Sequence, residues 1–300
     1  MTRINNPRLL LAKLREGDFA HAGETEAIDI VLKKILELLD KKSSFIVTTG
    51  TETCGDEIRN TPLKALDAGC GLGGTAAYIE EKSGFDVVGI DIDKEAISHA
   101  QKNYPRINFH ECDILDVNNT FSPDEFDLIY MFNVFYAVSD QKSSLKHLAK
   151  VAKPGAILAI FDYTYINSDG SFFLKDFSGN EMKPVPLMNL RGWMNDSGWE
   201  LIEIADLSRK YKKWYTAFLN RLSEKREDLL KNFSDSAFNR VNETFSILLE
   251  NIQNKNIGGA AVYASLKNKT SLFFSDNEQK ILSDLTDKSI PADTGKFTKK

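Results

Sequence analysis

The chain has 300 residues, of which 42% are hydrophobic and 27% are charged, enough for one well-packed core and a modest addition. Its formal net charge of −5 argues against a broad nucleic-acid surface, because such a surface needs clustered basic residues. Three scattered cysteines, Cys54, Cys70 and Cys112, have no metal-ligand spacing and are typical of a reducing compartment. No apolar run approaches a membrane span, and Leu9–Ala12 is too short for a signal-peptide core, so we expect a cytoplasmic protein.

The first 62 residues contain one strong helical pattern. Residues 1–22 are a polar lead-in, and a helix is predicted from Gly23 to Asp40. Its apolar positions recur at helical spacing: Ile28, Val31, Leu32, Ile35, Leu38 and Leu39. Residues 42–62 hold a β-prone stretch, Phe45–Thr49, and then a loop. We therefore assign 1–41 to an N-terminal lead-in and helix.

The stretch 65–74, ALDAGCGLGG, is the most informative part of the chain. An apolar strand ends in Asp67, and Gly69, Gly71 and Gly74 then satisfy the G-x-G-x-x-G pattern of dinucleotide sites. Glycines are needed where the backbone turns sharply close to a ligand, and the helix that follows would present its N-terminal amides there. Asp67 separates two interpretations, because its carboxylate would disfavour a diphosphate and favour a ligand with an ammonium group.

The next predicted strands also end in acidic residues. Residues 85–93 form a short apolar strand in which Asp91 lies about 20 residues past the glycines, where an acid binds ribose hydroxyls. Residues 107–115 form another strand that ends at Asp113. A fourth and a fifth strand are predicted at 125–130 and 153–163. This alternation of strands and helices over 63–163 predicts an α/β fold with a doubly wound parallel sheet, and we assign 42–208 to its core.

The ordered set of motifs resembles the class I methyltransferases that depend on S-adenosyl-L-methionine (SAM). Their first motif reads D-x-G-x-G-x-G, as residues 67–73 do here. The resemblance implies a Rossmann-like seven-stranded sheet and SAM as the cofactor. It also implies that Asp113 contacts the adenine amino group and that Ile114 packs on the ring. The implied cofactor-binding residues of these segments are Asp67, Gly69, Gly71, Gly73, Asp91, Ile92, Asp113 and Ile114.

A helical insertion is predicted between the last two strands. Residues 200–205 form a strand, 209–257 contain two amphipathic helical patterns, and 258–268 return as the final core strand. Ligands in such sheets bind outside the carboxyl ends of the strands, so we expect the insertion to be a lid over the site. Residues 269–300 are a polar tail with one weak helical stretch near 276–288.

Within this family, the chain resembles the phosphoethanolamine methyltransferases in particular, over residues 19–267. The shared positions are Gly23, Glu26 and Ala27, then 66–74, Tyr78 and Ile79, 89–92, 126–130, Asp162 and Tyr163, and 206–208. Where that family has S-R-D and a histidine after its fourth strand, this chain has residues 131–133, MFN, and Ala137. The residues that bind the cofactor in that family therefore have matches here, whereas those that act on its phosphorylated amine substrate do not.

Four further side chains are candidates for the site. His21 lies where the resembling enzymes contact SAM, and capping or packing is the alternative role. Asn133 and Tyr136 follow the fourth strand, the usual place for groups that face cofactor or substrate, although Tyr136 has packing as its alternative. Tyr163 matches a substrate-binding tyrosine of the resembling family. We expect Tyr163, His21 and Tyr136 to take part in catalysis, and His21 and Asn133 also to contact the cofactor.

The sequence contains no convincing general base, which favours an amine nitrogen as the methyl acceptor, because a hydroxyl needs a base more urgently. We therefore expect a SAM-dependent methyltransferase that acts on a small molecule. Two alternatives stay open: an O-methyltransferase of a natural-product or quinone-like acceptor, and a non-catalytic SAM-binding protein that binds a partner. We expect no membrane or nucleic-acid partner, and the sequence is compatible with a homo-oligomer.

Overall fold

The computed structural model describes residues 3–48, 61–166, 174–176 and 179–268, of which 42–48 are described by their backbone alone. The strands are β1 (Lys64–Ala68), β2 (Asp86–Asp91), β3 (Asn108–Glu111), β4 (Phe126–Phe132), β5 (Ala152–Tyr165), β6 (Leu174–Lys175), β7 (Glu181–Met182), β8 (Trp199–Asp206) and β9 (Ile257–Leu266). Seven of them form one sheet in the order β3-β2-β1-β4-β5-β9-β8, and β6 pairs with β7 separately. Six of these strands run parallel to one another, and β9, which lies between β5 and β8, runs in the opposite direction. The predicted Rossmann-like sheet is confirmed.

Helices cover both faces and the carboxyl-end edge of the sheet. They are α1 (Pro7–Arg15), α2 (Glu24–Thr48), α3 (Gly74–Ser83), α4 (Lys94–Asn103), α5 (Val117–Thr120), α6 (Gln141–Val151), α7 (Leu187–Asp196), α8 (Ser208–Glu224), α9 (Arg226–Asn232) and α10 (Asp235–Gln253). Buried apolar side chains form one cluster with α2, α3 and the α8–α10 helices, and a second with α6 and α7. The central strands β1, β4 and β5 are thus buried on both faces, as is usual for parallel strands.

The N-terminal residues differ from the polar lead-in that the sequence predicts for 1–22. Asn6 caps α1 by accepting hydrogen bonds from the N–H groups of Arg8 and Leu9, and Pro7 occupies the first turn. The buried apolar residues of this helix are Leu10, Leu11 and Leu14. Because α1 has only nine residues, its apolar pattern is too short to separate a helix from a loop by periodicity.

The second helix is longer than the sequence predicts. α2 continues to Thr48, so the predicted end at Asp40 is wrong, and the predicted domain boundary after residue 41 falls inside a helix. The β-prone stretch that begins at Phe45 is helical as far as Thr48. β-branched residues disfavour helices only weakly, and a helix already propagating overrides that preference.

Three helices, α8, α9 and α10, form the insertion between β8 and β9, where the sequence shows two amphipathic patterns. The long helices α8 and α10 pack on each other through Phe218 and Phe245, whose ring centroids lie 4.6 Å apart. Ser234 caps α10, and its Oγ accepts a hydrogen bond from the N–H of Ala237 at 3.1 Å. We call α8–α10 the lid.

Two predicted segments lie outside the described residues. These are residues 49–60, which include most of the predicted loop, and the polar tail 269–300 with its weak helical stretch. Across the described ranges, no helix has both the length and the apolar character needed to cross a membrane.

Candidate active site

The glycine turn between β1 and α3 adopts a backbone that side chains disfavour. Gly69 has a φ of 91°, and a Cβ there would lie 2.4 Å from the methyl groups of Val134. Gly71 has a φ of 54°, and a Cβ there would meet no atom within 4 Å. The turn is therefore closed on the Gly69 side and open at Gly71, where a ligand can approach the bare backbone.

Asp91 ties this turn to the end of β2. Its Oδ2 atom accepts a hydrogen bond from the N–H of Gly71 at 2.9 Å, and its Oδ1 atom accepts one from the N–H of Asp93 at 2.8 Å. Each carboxylate oxygen can accept a further hydrogen bond. Asp91 therefore both shapes the turn and keeps acceptor capacity for ligand hydroxyls.

A cavity of about 230 Å³ lies at the carboxyl ends of β1, β2 and β3. The predicted residues that line it are Gly69, Asp91, Ile92, Asp113 and Ile114. Its opposite wall comes from the segment after β4, residues 134–139. The cavity combines carboxylates that can accept from hydroxyl and amino groups with apolar side chains that can cover a planar ring. Ile92 is 70% exposed, an apolar surface that such a ring would bury.

Asp67, at the end of β1, is a buried carboxylate with an unsatisfied oxygen. The residue is 1% exposed, and no hydrogen-bond donor in the described part of the chain reaches its Oδ2 atom. Its neighbour in register on β4 is Tyr130, whose buried hydroxyl also has no hydrogen-bond partner among the described residues. Burial, and secondly the charge of Asp91, raise the pKa of Asp67 well above its usual value. A cationic donor at this point would satisfy the carboxylate, whereas a diphosphate would raise its pKa further.

Asn133, directly after β4, joins three other segments. Its φ of 51° turns the chain, and its Oδ1 atom accepts a hydrogen bond from the N–H of Ala22 at 3.0 Å. Its Nδ2 atom donates to the hydroxyl of Tyr211 on α8 at 3.2 Å and to Asp162 on β5 at 3.4 Å. The Asn133 side chain thus holds the N-terminal segment and the lid to the sheet. A direct contact of Asn133 with the cofactor stays a prediction.

Asp162 is a functional candidate that the site prediction missed. It is buried, and its two oxygens accept hydrogen bonds from the N–H groups of Tyr163 at 2.7 Å and Tyr136 at 3.1 Å. Burial raises the pKa of Asp162 to about 7, although these hydrogen bonds oppose the shift. The signal in the sequence is an acidic residue at the end of a predicted buried strand, next to the candidate Tyr163.

His21 is buried between the N-terminal segment and α3. Its Nδ1 atom lies 3.0 Å from the carbonyl oxygen of Ala22, which only accepts, so Nδ1 carries the proton. Its Nε2 atom then accepts from the hydroxyl of Thr75 at 3.1 Å. Burial lowers the pKa of His21 to about 3, so the ring is neutral with its lone pair engaged. This geometry favours a positioning role over a free base.

Tyr163 lies in an aromatic cluster between the sheet and the lid. Its hydroxyl pairs with that of Tyr215 on α8, and its ring lies 5.4 Å from Tyr136 and 5.6 Å from Tyr211, both edge to face. Burial raises the pKa of the Tyr163 hydroxyl well above its usual value, which keeps it protonated. The structure therefore brings Tyr163 and Tyr136 together beneath the lid.

The N-terminal segment, residues 3–22, crosses the carboxyl-end edge of the sheet. Arg8 on α1 forms an ion pair with Asp93 at 2.6 Å. Asp18 accepts hydrogen bonds from His99 Nε2 and from the Tyr104 hydroxyl, both at 2.9 Å. This segment therefore lies beside the glycine turn and closes one side of the site.

The fold is similar to that of the Haemonchus contortus phosphoethanolamine N-methyltransferase 2 in complex with phosphomonomethylethanolamine and S-adenosylhomocysteine. The TM-score is 0.69 at 18% sequence identity, over 87% of this chain and 57% of that one. Residues 59–169 match the family model of a methyltransferase domain. Over these residues the chain is similar to methyltransferase domains. The domain match covers β1 to β5, with the glycine turn, Asp91, Asp113 and Asn133.

The chain's relatives share low sequence identity with it. Phosphoethanolamine N-methyltransferase 3 of Arabidopsis thaliana is 26% identical over 207 residues, which are 66% of this chain and 42% of that protein. The chain thus matches less than half the length of this relative. A cyclopropane synthase from Mycobacterium tuberculosis shares the fold with a TM-score of 0.58 at 16% identity, over 68% of this chain and 78% of that one. The fold alone therefore does not decide the acceptor.

Proposed function

We propose that the protein is a SAM-dependent methyltransferase that transfers a methyl group to an amine nitrogen of a small molecule. The observation that carries this proposal is the buried, unsatisfied carboxylate of Asp67 directly before the glycine turn. SAM has an ammonium group and no phosphate, so it satisfies Asp67, and a dinucleotide does not. The relatives named as N-methyltransferases support nitrogen as the accepting atom.

The described residues fit the two ends of SAM. The open space in front of Gly71 and the carboxylate of Asp67 suit the amino-acid end. The cavity with Asp91 suits the ribose, and Asp113 suits the adenine amino group. Ile92 would cover one face of the ring. When bound, SAM supplies a methyl group on a positively charged sulfur.

The chain's own contribution to catalysis is alignment and the exclusion of water. Tyr163 and Tyr136 form an aromatic wall beside the sheet, and Tyr215 closes it from the lid. Exclusion of water by this wall would lower the pKa of a bound amine, and the neutral amine is the form that attacks. The protonated tyrosine hydroxyls can accept from the amine and orient its lone pair.

Oxygen as the accepting atom is less well supported, because the candidate bases are engaged. The lone pair on His21 Nε2 accepts a hydrogen bond from the Thr75 hydroxyl. The oxygens of Asp162 accept hydrogen bonds from backbone and side-chain donors. A hydroxyl acceptor would need one of them to take a proton.

The two described cysteines, Cys70 and Cys112, are free and buried, which supports a reducing compartment such as the cytoplasm.

Calorimetric titration with SAM, S-adenosylhomocysteine and NAD⁺ tests the cofactor, with Asp67→Asn as the matched variant. We expect SAM and S-adenosylhomocysteine to bind and NAD⁺ not to bind. Methyl transfer is then followed by mass spectrometry over a panel of amines and phenols. Preferred binding of NAD⁺ contradicts the cofactor assignment, and transfer to phenols alone contradicts the choice of nitrogen. Binding of SAM with no turnover on extracted small metabolites would favour the non-catalytic alternative.

A further inference from the structure

Two arginines and one glutamate form an ionic cluster between the N-terminal segment and the lid, and none of the three lines the cofactor cavity. Arg15 has a side chain only 2% exposed, and its Nη1 atom donates to the carbonyl oxygens of Phe19 at 3.1 Å and His21 at 2.6 Å. Its Nε atom lies 3.6 Å from Glu24 Oε1, beyond hydrogen-bond distance. Arg221 on α8 pairs with the same glutamate. One carboxylate therefore faces two guanidinium groups.

The guanidinium groups keep unused donors. The buried Nε atoms of Arg15 and Arg221 have no hydrogen-bond partner within the described ranges. Glu24 is held between them with a φ of 50°, a left-handed backbone that is costly for a residue with a side chain. Buried donors without acceptors are rare, because each costs free energy unless a ligand or water satisfies it.

A cavity of about 200 Å³ is lined by this cluster. Arg15, Glu24 and Arg221 provide its charges, and Trp214 and Phe218 of the lid provide an apolar wall. Its other acidic residue, Glu26, is already paired with Lys210 at 2.8 Å and with the Trp214 indole N–H. The charged groups left over are two positive and one negative, an excess of one positive charge.

We propose that this cavity binds the carboxylate of the methyl acceptor. A guanidinium offers planar, paired N–H donors that match a carboxylate, and one negative charge neutralises the excess positive charge. A phosphate dianion would instead leave the cavity with a negative excess. The proposal rests on the proposed function for the identity of the ligand as a methyl acceptor.

The cavity is connected to the aromatic cluster by one side chain. Tyr215 lines the cavity, and its hydroxyl pairs with that of Tyr163. The two rings are stacked with centroids 6.3 Å apart. An acceptor whose carboxylate lies against Arg15 and Arg221 would therefore extend along Tyr215 toward Tyr163. The cavity selects an amine that also carries an acid group.

Binding of simple probes to the 300-residue chain saturated with S-adenosylhomocysteine tests the site. The probes are benzoate, phenyl phosphate and benzyl alcohol, measured by calorimetry or ligand-observed NMR. We expect benzoate to bind more tightly than the other two, and Arg221→Gln to weaken benzoate by about 10-fold or more. Arg226→Gln, an exposed arginine of α9 outside the cavity lining, is the matched control and should change nothing.

Glu24→Gln gives a prediction of opposite sign. Removing the competing carboxylate should tighten benzoate several-fold, whereas a merely structural ion cluster predicts no gain in affinity from either variant. Each variant's melting temperature is recorded, so that loss of fold is recognised. Absence of saturable benzoate binding to the wild type overturns the proposal. So does an Arg221-dependent preference for phenyl phosphate, and so does a weakening by Glu24→Gln in a folded protein.

A kinetic comparison separates this proposal from the proposed function. The acceptors are phenethylamine and 4-(2-aminoethyl)benzoate, which differ by the carboxylate. We expect Arg221→Gln to raise KM for the carboxylated amine and to leave that for phenethylamine unchanged. If benzoate binding depends on the charge of Arg221 but neither amine is methylated, the cavity is a carboxylate site and its assignment to the methyl acceptor is contradicted. Methylation of both amines with equal KM keeps the methyltransferase and overturns the carboxylate site.

Discussion

The Oδ1 atom of Asn133 accepts a hydrogen bond from the backbone N–H of Ala22 at 3.0 Å, and so fastens the N-terminal segment to the end of β4. The two residues are 111 positions apart in the chain. Asn133 also donates to Tyr211 of the lid. One side chain thus connects the sheet to both of the segments that cover the site.

Replacing Asn133 should loosen the cover of the site, which consists of the N-terminal segment (residues 3–22) and the lid. We expect Asn133→Ala to increase the dissociation rate of S-adenosylhomocysteine several-fold, because the N-terminal segment and the lid lose a shared anchor. Stopped-flow displacement measures the rate. Asn242→Ala, at an exposed position of α10, is the control. An unchanged dissociation rate in a folded Asn133 variant would show that the N-terminal segment and the lid do not limit release of S-adenosylhomocysteine.

Asp91 should dominate binding of the nucleoside. We expect Asp91→Ala to weaken S-adenosylhomocysteine by about 10-fold or more, because charged hydrogen bonds to ribose hydroxyls and the bond to Gly71 are lost together. Asp86→Ala, at the exposed start of the same strand, should keep wild-type affinity. Calorimetry gives both dissociation constants, and equal affinity of the Asp91 variant would contradict the cofactor placement.

Asp67 should release a proton when SAM binds. In the free protein its pKa is raised by burial and by Asp91, so a protonated fraction persists above the usual pKa. The arriving ammonium favours the ionised carboxylate and expels the proton. At about pH 6.5, where an α-amino group is still charged, calorimetry in two buffers of different ionisation enthalpy reports the proton count. Asp67→Asn should abolish the release, and a release that persists in this variant would assign it to another group.

Tyr163 should affect the acceptor more than the cofactor. Tyr163→Phe removes the hydroxyl that pairs with Tyr215, so we expect a lower kcat/KM for the acceptor and an unchanged Kd for SAM. Tyr130→Phe is a useful control, because its buried hydroxyl has no hydrogen-bond partner in the described structure. Removing that hydroxyl should leave stability unchanged or improved. A Tyr163→Phe enzyme with wild-type acceptor kinetics would place the acceptor elsewhere.

Asp162 should make stability depend on pH. Its folded-state pKa is about 7 against an ordinary value of 3.8, so between these values the folded protein holds more protons than the unfolded chain. The corresponding stabilisation is complete below the ordinary pKa and is lost as pH rises through about 7. Urea unfolding across this range should show a smaller decline for Asp162→Asn than for the wild type. Parallel declines would show that the carboxyl group is not perturbed.

The sheet and the cofactor cavity could be predicted because their signals are local in the sequence. Gly69 and Gly71 mark a turn through their backbone freedom, and Asp91 and Asp113 follow short apolar strands. Parallel strands bring their carboxyl ends to one edge, so order along the chain predicts proximity in space. The structure accordingly gathers these residues around one cavity.

The cover and the ionic cluster could not be predicted because they depend on contacts between distant segments. Arg15, Glu24 and Arg221 each lie among other charged residues in the sequence, and such residues usually belong to solvated faces. Arg15 is buried because α1 packs on the lid, and this packing cannot be predicted from the short apolar pattern of a nine-residue helix. The sequence predicts a cofactor contact for Asn133, whereas the hydrogen-bond partners of its side chain belong to Ala22, Tyr211 and Asp162.

The lid leaves the sheet and returns to it at neighbouring points. It begins after β8 and ends before β9, and the N–H of Leu207 donates to the carbonyl oxygen of Gly259 at 2.8 Å. A segment with adjacent ends can be exchanged without disturbing the framework that carries it. Grafting an α8–α10 segment from an enzyme of this architecture should therefore transfer preference for a new compound while the cavity at Asp91 and Asp113 stays intact, so the insertion can be exchanged as a unit.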